Sequence, residues 1–112
     1  MTISVSIYGF GSAFVGKVAA RDIDFLIVHP STDPASCRLA IACKRGLCER
    51  VPLAHVTMLS ETEEAHFKFI EAASAMSLGT VREEKLANDL DVLVKSIGEV
   101  VVETERRLPT IR

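Results

Sequence analysis

The sequence predicts an α/β fold in which helices pack on a small mixed β-sheet. Segments with strand-like and helix-like apolar patterns alternate along the chain, and helix-start signals stand between them. The chain of 112 residues is long enough for one hydrophobic core and too short for two. Hydrophobic residues make up 48% and charged residues 25%, a composition typical of globular proteins and not of disordered chains.

Three segments have the pattern of β-strands. Residues 3–8 alternate apolar and small polar side chains, and residues 23–28 form an apolar run interrupted only by Asp24. Residues 51–59 alternate again, with Leu53, His55 and Thr57 on one face. We therefore expect His55 in the middle of the third strand.

The first helix is predicted between the second and third strands. Asp33 followed by Pro34 is typical of a helix start, because the carboxylate accepts from free N–H groups and proline needs no donor there. The helix is expected to run to Arg45 and to end at Gly46, since glycine is common just after a helix.

Two more helices are predicted after the third strand. Ser60 and Glu63 have the spacing of a capping box, and the helix they begin is expected to end at Gly79. A second box at residues 80–83 opens a long helix, which divides the chain into a core of residues 1–79 and a C-terminal helix and tail of residues 80–112. Its apolar positions recur every three or four residues: Leu86, Leu90, Leu93, Ile97 and Val101.

Charge and cysteine content exclude several classes of protein. Thirteen basic and 15 acidic residues give a net charge of −2, which argues against a protein whose main task is to hold nucleic acid by its phosphates. No membrane span or signal peptide is evident, so we expect a cytoplasmic protein with no membrane partner. Cys37, Cys43 and Cys48 fit no zinc-binding spacing and are interpreted as reduced core thiols.

Two motifs suggest a site for a phosphate and a cation. Asp22 and Asp24 are one residue apart at the start of the second strand, so their carboxylates point to the same side and suit Mg²⁺ or Mn²⁺. Upstream, Gly9-Phe10-Gly11-Ser12 follows the first strand. Glycines there let backbone N–H groups turn toward an anion, and Ser12 adds a hydroxyl. The two motifs together predict a phosphate cradle beside a cation site.

This combination resembles the signature of the polymerase-beta-like nucleotidyltransferase superfamily. Apolar Phe10 is followed by Gly11-Ser12, a spacer of nine residues and then Asp22-Ile23-Asp24-Phe25. The resemblance covers about residues 3–78 and implies a nucleotidyltransferase core. It also implies that Gly11 and Ser12 hold the phosphates of a nucleoside triphosphate, and that Asp22 and Asp24 are catalytic residues that bind the divalent ions.

The chain departs from the family pattern in three places. The arginine that members commonly carry just after Gly-Ser is missing, and Lys17 or Arg21 is expected to take its role in phosphate binding. The helix that many members place before the first strand is missing, and the helix after Thr80 is expected to replace it. His55 stands where the third carboxylate of the family is expected.

Three interpretations of His55 remain open. It is a neutral base for the attacking hydroxyl, a nitrogen ligand that suits a transition metal better than Mg²⁺, or a substitution that weakened or abolished the reaction. Glu61 or Glu63 is an alternative source of the missing charge, although Glu63 has a capping role. His29 and His66 are interpreted as solvent-exposed.

Two functions follow from these motifs. The first is a metal-dependent enzyme that transfers a nucleoside monophosphate to a hydroxyl of a protein, nucleic acid or small molecule. The second is a non-catalytic protein of the same fold, such as an antitoxin paired with a helical toxin, as small family members are, or an accessory subunit that binds a nucleotide. The helix of residues 80–107 would supply the surface for a protein partner or a homo-oligomer.

Overall fold

The structure is a computed structural model, and it describes residues 3–11, 14 and 23–107, with the side chains up to residue 97. Its elements in chain order are β1 (Ser4–Phe10), β2 (Ile23–His29), α1 (Pro34–Arg50), β3 (Ala54–Ser60), α2 (Glu61–Phe67), α3 (Phe69–Ala72), β4 (Met76–Arg82) and α4 (Leu86–Arg107), with a 3-10 turn at Glu83–Lys85 before α4.

The four strands form one mixed sheet in the order β3-β2-β1-β4. Strands β2 and β3 are parallel, whereas β1 pairs antiparallel with both β2 and β4. The parallel pair requires a crossover connection, which α1 provides. The prediction of an α/β fold with a small mixed sheet is confirmed.

Helices α1 and α4 cover one face of the sheet and enclose the hydrophobic core. Side chains that alternate along β1 and β2 point into this core, because successive side chains of a strand lie on opposite faces. Fully or almost fully buried members of the core are Val5, Ile7, Phe25, Ile27, Cys43, Leu47, Val81 and Leu90. The opposite face carries the polar and aromatic side chains that form the candidate site.

Helix α1 begins as predicted and ends later than predicted. Asp33 caps it by accepting a hydrogen bond from the Ser36 N–H, and Pro34 is its first residue. Gly46 does not end the helix, which continues to Arg50. A Cβ on Gly46 would collide with the Leu90 side chain of α4, so this glycine allows two helices to approach each other.

The prediction of one continuous helix up to Gly79 is wrong. The capping box of Ser60 and Glu63 starts α2, but Lys68 takes the left-handed conformation at φ 53° and separates α2 from α3. Residues 76–82 then form β4, which pairs with the free edge of β1. The box predicted at residues 80–83 is therefore not a helix start, and β4 crosses the expected boundary between residues 79 and 80.

Helix α4 uses its predicted apolar stripe to pack against the sheet. Leu90, Leu93 and Ile97 are buried in the core of the same chain. Asp89 near the start of α4 accepts three hydrogen bonds from the backbone and guanidinium of Arg82, which hold the pKa of this carboxyl far below its usual range. The stripe up to Ile97 is thus part of the core and is not free for a partner.

The three cysteines differ in burial. Cys43 is buried, and burial raises the pKa of its thiol to about 12. Cys37 is half-buried and Cys48 is exposed, so the expectation of three core thiols is correct only for Cys43. All three are free thiols. In the described part of the chain, no helix has both the length and the apolar character that a membrane crossing needs.

Candidate functional site

Phe10, Asp24 and His55 form a row across three neighbouring strands at one end of the sheet. Phe10 lies directly opposite Asp24 in the β1–β2 pair, and Asp24 lies directly opposite His55 in the β2–β3 pair. Residues that face each other across a sheet project from the same face, so the three side chains share the face that α1 and α4 leave uncovered. We call this end of the sheet the open end.

Gly11 comes directly after β1 and lies against the carboxylate of Asp24. A Cβ on Gly11 would overlap with Asp24 Oδ2, and the backbone of Gly11 has φ 81°, a conformation that favours glycine. Only glycine therefore allows the Asp24 carboxylate to lie this close to the backbone. The predicted proximity of the glycine turn and the second aspartate is present in the structure.

Gly9 lies within β1, and packing explains why a glycine stands at this position. A Cβ on Gly9 would overlap with the Phe14 ring, which packs over it into the core. The Phe14 N–H donates to the Gly11 carbonyl at 3.1 Å, and its ring meets Phe25 edge to face at 6.3 Å between centroids. The contacts of Phe14 thereby help to hold Gly11 in place beside Asp24.

Asp24 and His55 are in direct contact. His55 Nδ1 is 3.4 Å from Asp24 Oδ1, and the other oxygen of Asp24 faces Gly11. The Asp24 side chain is 23% exposed, whereas that of His55 is 76% exposed. His55 does not lie in the middle of β3 as predicted, because the strand starts at Ala54 and His55 is its second residue.

An aromatic pair borders the row on its β1 side. The rings of Phe10 and Phe69 meet edge to face with their centroids 5.0 Å apart, which brings α3 to the open end. Sequence analysis missed Phe69, since the break between α2 and α3 at Lys68 has no clear local signal. The only hint is an aromatic residue in a segment that was assigned to a continuous amphipathic helix.

Several residues of the predicted site lie outside the described part of the chain. Ser12, Lys17, Arg21 and Asp22 belong to this group, so their roles in phosphate and metal binding stay predictions. Glu61 and Glu63, the alternative sources of the missing charge, lie in the described part of the chain but too far from Asp24 and His55 to take that role. Both follow Ser60 at the other end of β3, about 16 Å along the strand from His55.

His29 and Ser60 face each other at that other end of the parallel pair, which we call the capped end. His29 is only 7% exposed, so the prediction of an exposed side chain is wrong for this residue. Its Nδ1 is 2.7 Å from the Ser31 carbonyl and 3.3 Å from Ser36 Oγ, and the carbonyl requires Nδ1 to carry the hydrogen. His66 is exposed on α2, as predicted.

The donors at the open end suit a divalent cation. Among the described residues no group of three His, Cys, Asp or Glu side chains comes together. Asp24 and His55 do place one oxygen and one nitrogen side by side, and the missing Cβ of Gly11 leaves space for the carboxylate. These donor types fit a metal ion that takes the remainder of its ligands from other groups and from solvent.

The chain matches no protein-family model, and neither the curated proteins nor the solved structures include a significant match to it.

Proposed function

We propose that the protein is a metal-dependent nucleotidyltransferase that binds a nucleoside triphosphate at the open end and transfers the nucleoside monophosphate to a hydroxyl. One observation carries this proposal. The carboxylate of Asp24, the second acid of the Asp-x-Asp pair, lies against Gly11 of the Gly-Ser turn. A cation site and a phosphate site must be this close if a metal ion is to bridge them.

Each residue of the site has a defined role in this proposal. Asp22 and Asp24 would hold Mg²⁺ or Mn²⁺, which when bound neutralises charge on the phosphates. The backbone of Gly11, with Ser12 and Lys17, would hold the phosphates themselves. The chain thereby binds and orients the triphosphate, and this positioning is the main contribution that proteins make to phosphoryl transfer.

The proposed reaction is an exchange at the α-phosphorus. The acceptor oxygen forms a bond to this phosphorus, the bond from the phosphorus to the bridging oxygen breaks, and pyrophosphate leaves. The acceptor hydroxyl gives its proton to solvent in the same process. A label on the α-phosphate therefore moves to the acceptor, whereas a label on the γ-phosphate leaves with pyrophosphate.

Isothermal titration with the four ribonucleoside triphosphates in Mg²⁺ or Mn²⁺ tests the binding step. We expect at least one triphosphate to bind, and Asp24→Asn and Asp22→Asn to abolish that binding while the chain stays folded. Asp91→Asn is the matched control, because Asp91 on α4 forms an exposed ion pair with Arg50 at the end of α1, away from the open end. Absence of binding with both ions, or unchanged binding in Asp24→Asn, would contradict the proposal.

A non-catalytic nucleotide-binding protein, acting as an antitoxin or accessory subunit, is the second candidate. The observation that favours it is the imidazole of His55 beside Asp24, at the position where the family signature that this sequence resembles leads us to expect a carboxylate. Incubation with α-labelled and γ-labelled triphosphate and with protein, RNA and small hydroxyl acceptors separates the two. Transfer of the α-label alone supports the enzyme, and binding without transfer supports the second candidate.

A further inference from the structure

The contact between Asp24 and His55 contributes little to the stability of the fold. His55 Nδ1 lies 3.4 Å from Asp24 Oδ1, longer than a usual hydrogen bond, and the His55 side chain is 76% exposed. A long polar contact to a side chain that is mostly exposed contributes little to stability. A polar pair that stabilises the fold weakly, on the face that α1 and α4 leave uncovered, is available to bind a ligand.

We propose that Asp24 Oδ1 and His55 Nδ1 bind the same divalent ion, and that His55 makes the open end prefer a transition metal ion such as Mn²⁺ over Mg²⁺. This inference rests on the proposed function, in which Asp24 is a metal ligand. It goes further because it assigns His55 as a ligand and names the class of ion. The other interpretations of His55, a base or an inert substitution, become outcomes of the test.

The spacing of the two atoms fits two ligands of one ion. With metal–ligand bonds of about 2.1 Å, two ligands lie about 3.0 Å apart at a right angle and about 3.4 Å apart at a tetrahedral angle. The observed separation of Asp24 Oδ1 and His55 Nδ1 is 3.4 Å. The two atoms therefore need little movement to share an ion.

The backbone supports this arrangement. Asp24 and His55 are direct partners in the parallel β2–β3 pair, so their side chains leave the sheet next to each other. The second oxygen of Asp24 is placed against Gly11, which directs Oδ1 toward His55. Both donors are thus oriented by the sheet and by the glycine turn.

The nitrogen donor changes which ion is preferred. Mg²⁺ strongly prefers oxygen ligands and keeps several waters. Imidazole nitrogen binds divalent ions of the first transition series better than it binds Mg²⁺. A carboxylate at position 55 would give a site made of oxygen alone and would favour Mg²⁺. The imidazole should instead raise the affinity for Mn²⁺ relative to Mg²⁺.

Electron paramagnetic resonance of Mn²⁺ bound to the full chain tests the inference without any activity assay. The loss of the free-ion signal gives the affinity, competition with Mg²⁺ gives the preference, and electron-spin-echo envelope modulation detects a nitrogen bound directly to Mn²⁺. The variants are His55→Asn and His55→Asp, with His66→Asn as the matched control, since His66 is an exposed histidine on α2.

We expect nitrogen modulation in the wild type and in His66→Asn, and none in the two His55 variants. His55→Asn should weaken Mn²⁺ binding by about tenfold or more, because even the loss of an outer partner of a ligand has an effect of this size. His55→Asp should shift the preference toward Mg²⁺. Thermal unfolding of each variant checks that the chain is folded.

Two other results would overturn the inference in different ways. Mn²⁺ binding that needs Asp24 but shows no nitrogen modulation, and that is equal in wild type and His55→Asn, removes His55 as a ligand and leaves the proposed function standing. No binding of Mn²⁺ or Mg²⁺ at millimolar concentration, with or without a non-hydrolysable triphosphate, removes both the inference and the proposed function.

Discussion

The two ends of the parallel β2–β3 pair each place a histidine opposite a polar residue, but the two pairs have different surroundings. At the capped end, His29 faces Ser60, both are buried, and each forms hydrogen bonds with the first residues of a helix or the loop before it. At the open end, Asp24 faces His55, and His55 Nδ1 lies 3.4 Å from Asp24 Oδ1. Polar groups at the capped end form the hydrogen bonds at the helix starts, whereas Asp24 and His55 at the open end cap no helix in the described part of the chain.

The reason for the difference is where the helices begin. A β-strand followed by a helix places the free N–H groups of that helix at the carboxyl end of the strand. Asp33 and Ser60 cap α1 and α2 at this end, and His29 is enclosed between them. In the described part of the chain, neither Asp24 nor His55 caps a helix, and the His55 side chain is 76% exposed.

Replacement of the two histidines should give the largest difference between the ends. His29→Ala is expected to lower the free energy of unfolding by about 2 to 3 kcal/mol, because it removes a buried ring and leaves the Ser31 carbonyl without its donor. His55→Ala should change it by less than about 0.5 kcal/mol, since the side chain is mostly exposed. Urea denaturation measures both, and equal losses would contradict the distinction between the ends.

The next largest loss of stability is expected when Gly11, which contacts Asp24, is replaced. Gly11→Ala should cost about 2 kcal/mol, from the positive φ and from the collision of the new methyl group with the Asp24 carboxylate. In an Asp24→Ala background the collision is absent and only the cost of φ remains. The double-mutant cycle is therefore expected to give a coupling energy of about 1 kcal/mol.

Asp24→Ala alone is the control for this cycle, and it should leave stability almost unchanged. Strictly additive effects of the two substitutions would show that the glycine and the carboxylate do not touch in solution. That result would also remove the observation on which the proposed function depends.

Disruption of the capping box of α2 should lower the stability by a smaller amount. Ser60→Ala removes the hydroxyl that accepts from the Glu63 N–H at 3.1 Å, and is expected to lower the free energy of unfolding by about 1 kcal/mol. For a domain of this size, the midpoint of thermal unfolding should then fall by about 4 to 8 °C. Ser96→Ala, on the exposed surface of α4, is the control and should have no measurable effect.

Sequence patterns predicted the elements whose signals are local. Asp33 with Pro34 and Ser60 with Glu63 are complete helix starts within four residues, and both caps are present in the structure. The alternation in residues 3–8 and the apolar run in residues 23–28 identify β1 and β2 for the same reason. The proximity of Gly11 and Asp24 was predicted from the combination of the Gly-Ser turn with the Asp-x-Asp pair, which resembles the nucleotidyltransferase signature.

The elements that were missed depend on distant partners. Residues 76–82 contain Gly79 and have no strong strand pattern, and they become β4 because β1 offers a free edge. Gly46 has the pattern of a helix end, but the approach of Leu90 from α4 decides its role. His29 and His55 are both near a strand end, and only the helix starts above one of them determine which is buried.

Low pH should lower the stability of the fold, because it protonates the Glu63 carboxylate at the capped end. The backbone N–H and side chain of Ser60 hydrogen-bond to its carboxylate and lower the pKa of Glu63 in the folded chain. A lowered folded-state pKa gives a contribution to stability that is complete above about pH 4.3, the value for an unfolded glutamate, and that disappears as the pH falls through the folded-state value. The free energy of unfolding of the wild type should therefore decline below about pH 5.

Glu63→Gln isolates this contribution, because glutamine keeps the capping hydrogen bond and does not titrate. The variant should be less stable than the wild type at pH 7, where only the wild type has the charged carboxylate, and the two should converge as the pH falls. Between about pH 5 and pH 3 the wild type should lose more stability than the variant, as measured by urea denaturation at each pH. Parallel curves over this range would mean that the Ser60–Glu63 box does not hold the carboxylate, and that the capped end is less tightly closed than its hydrogen bonds indicate.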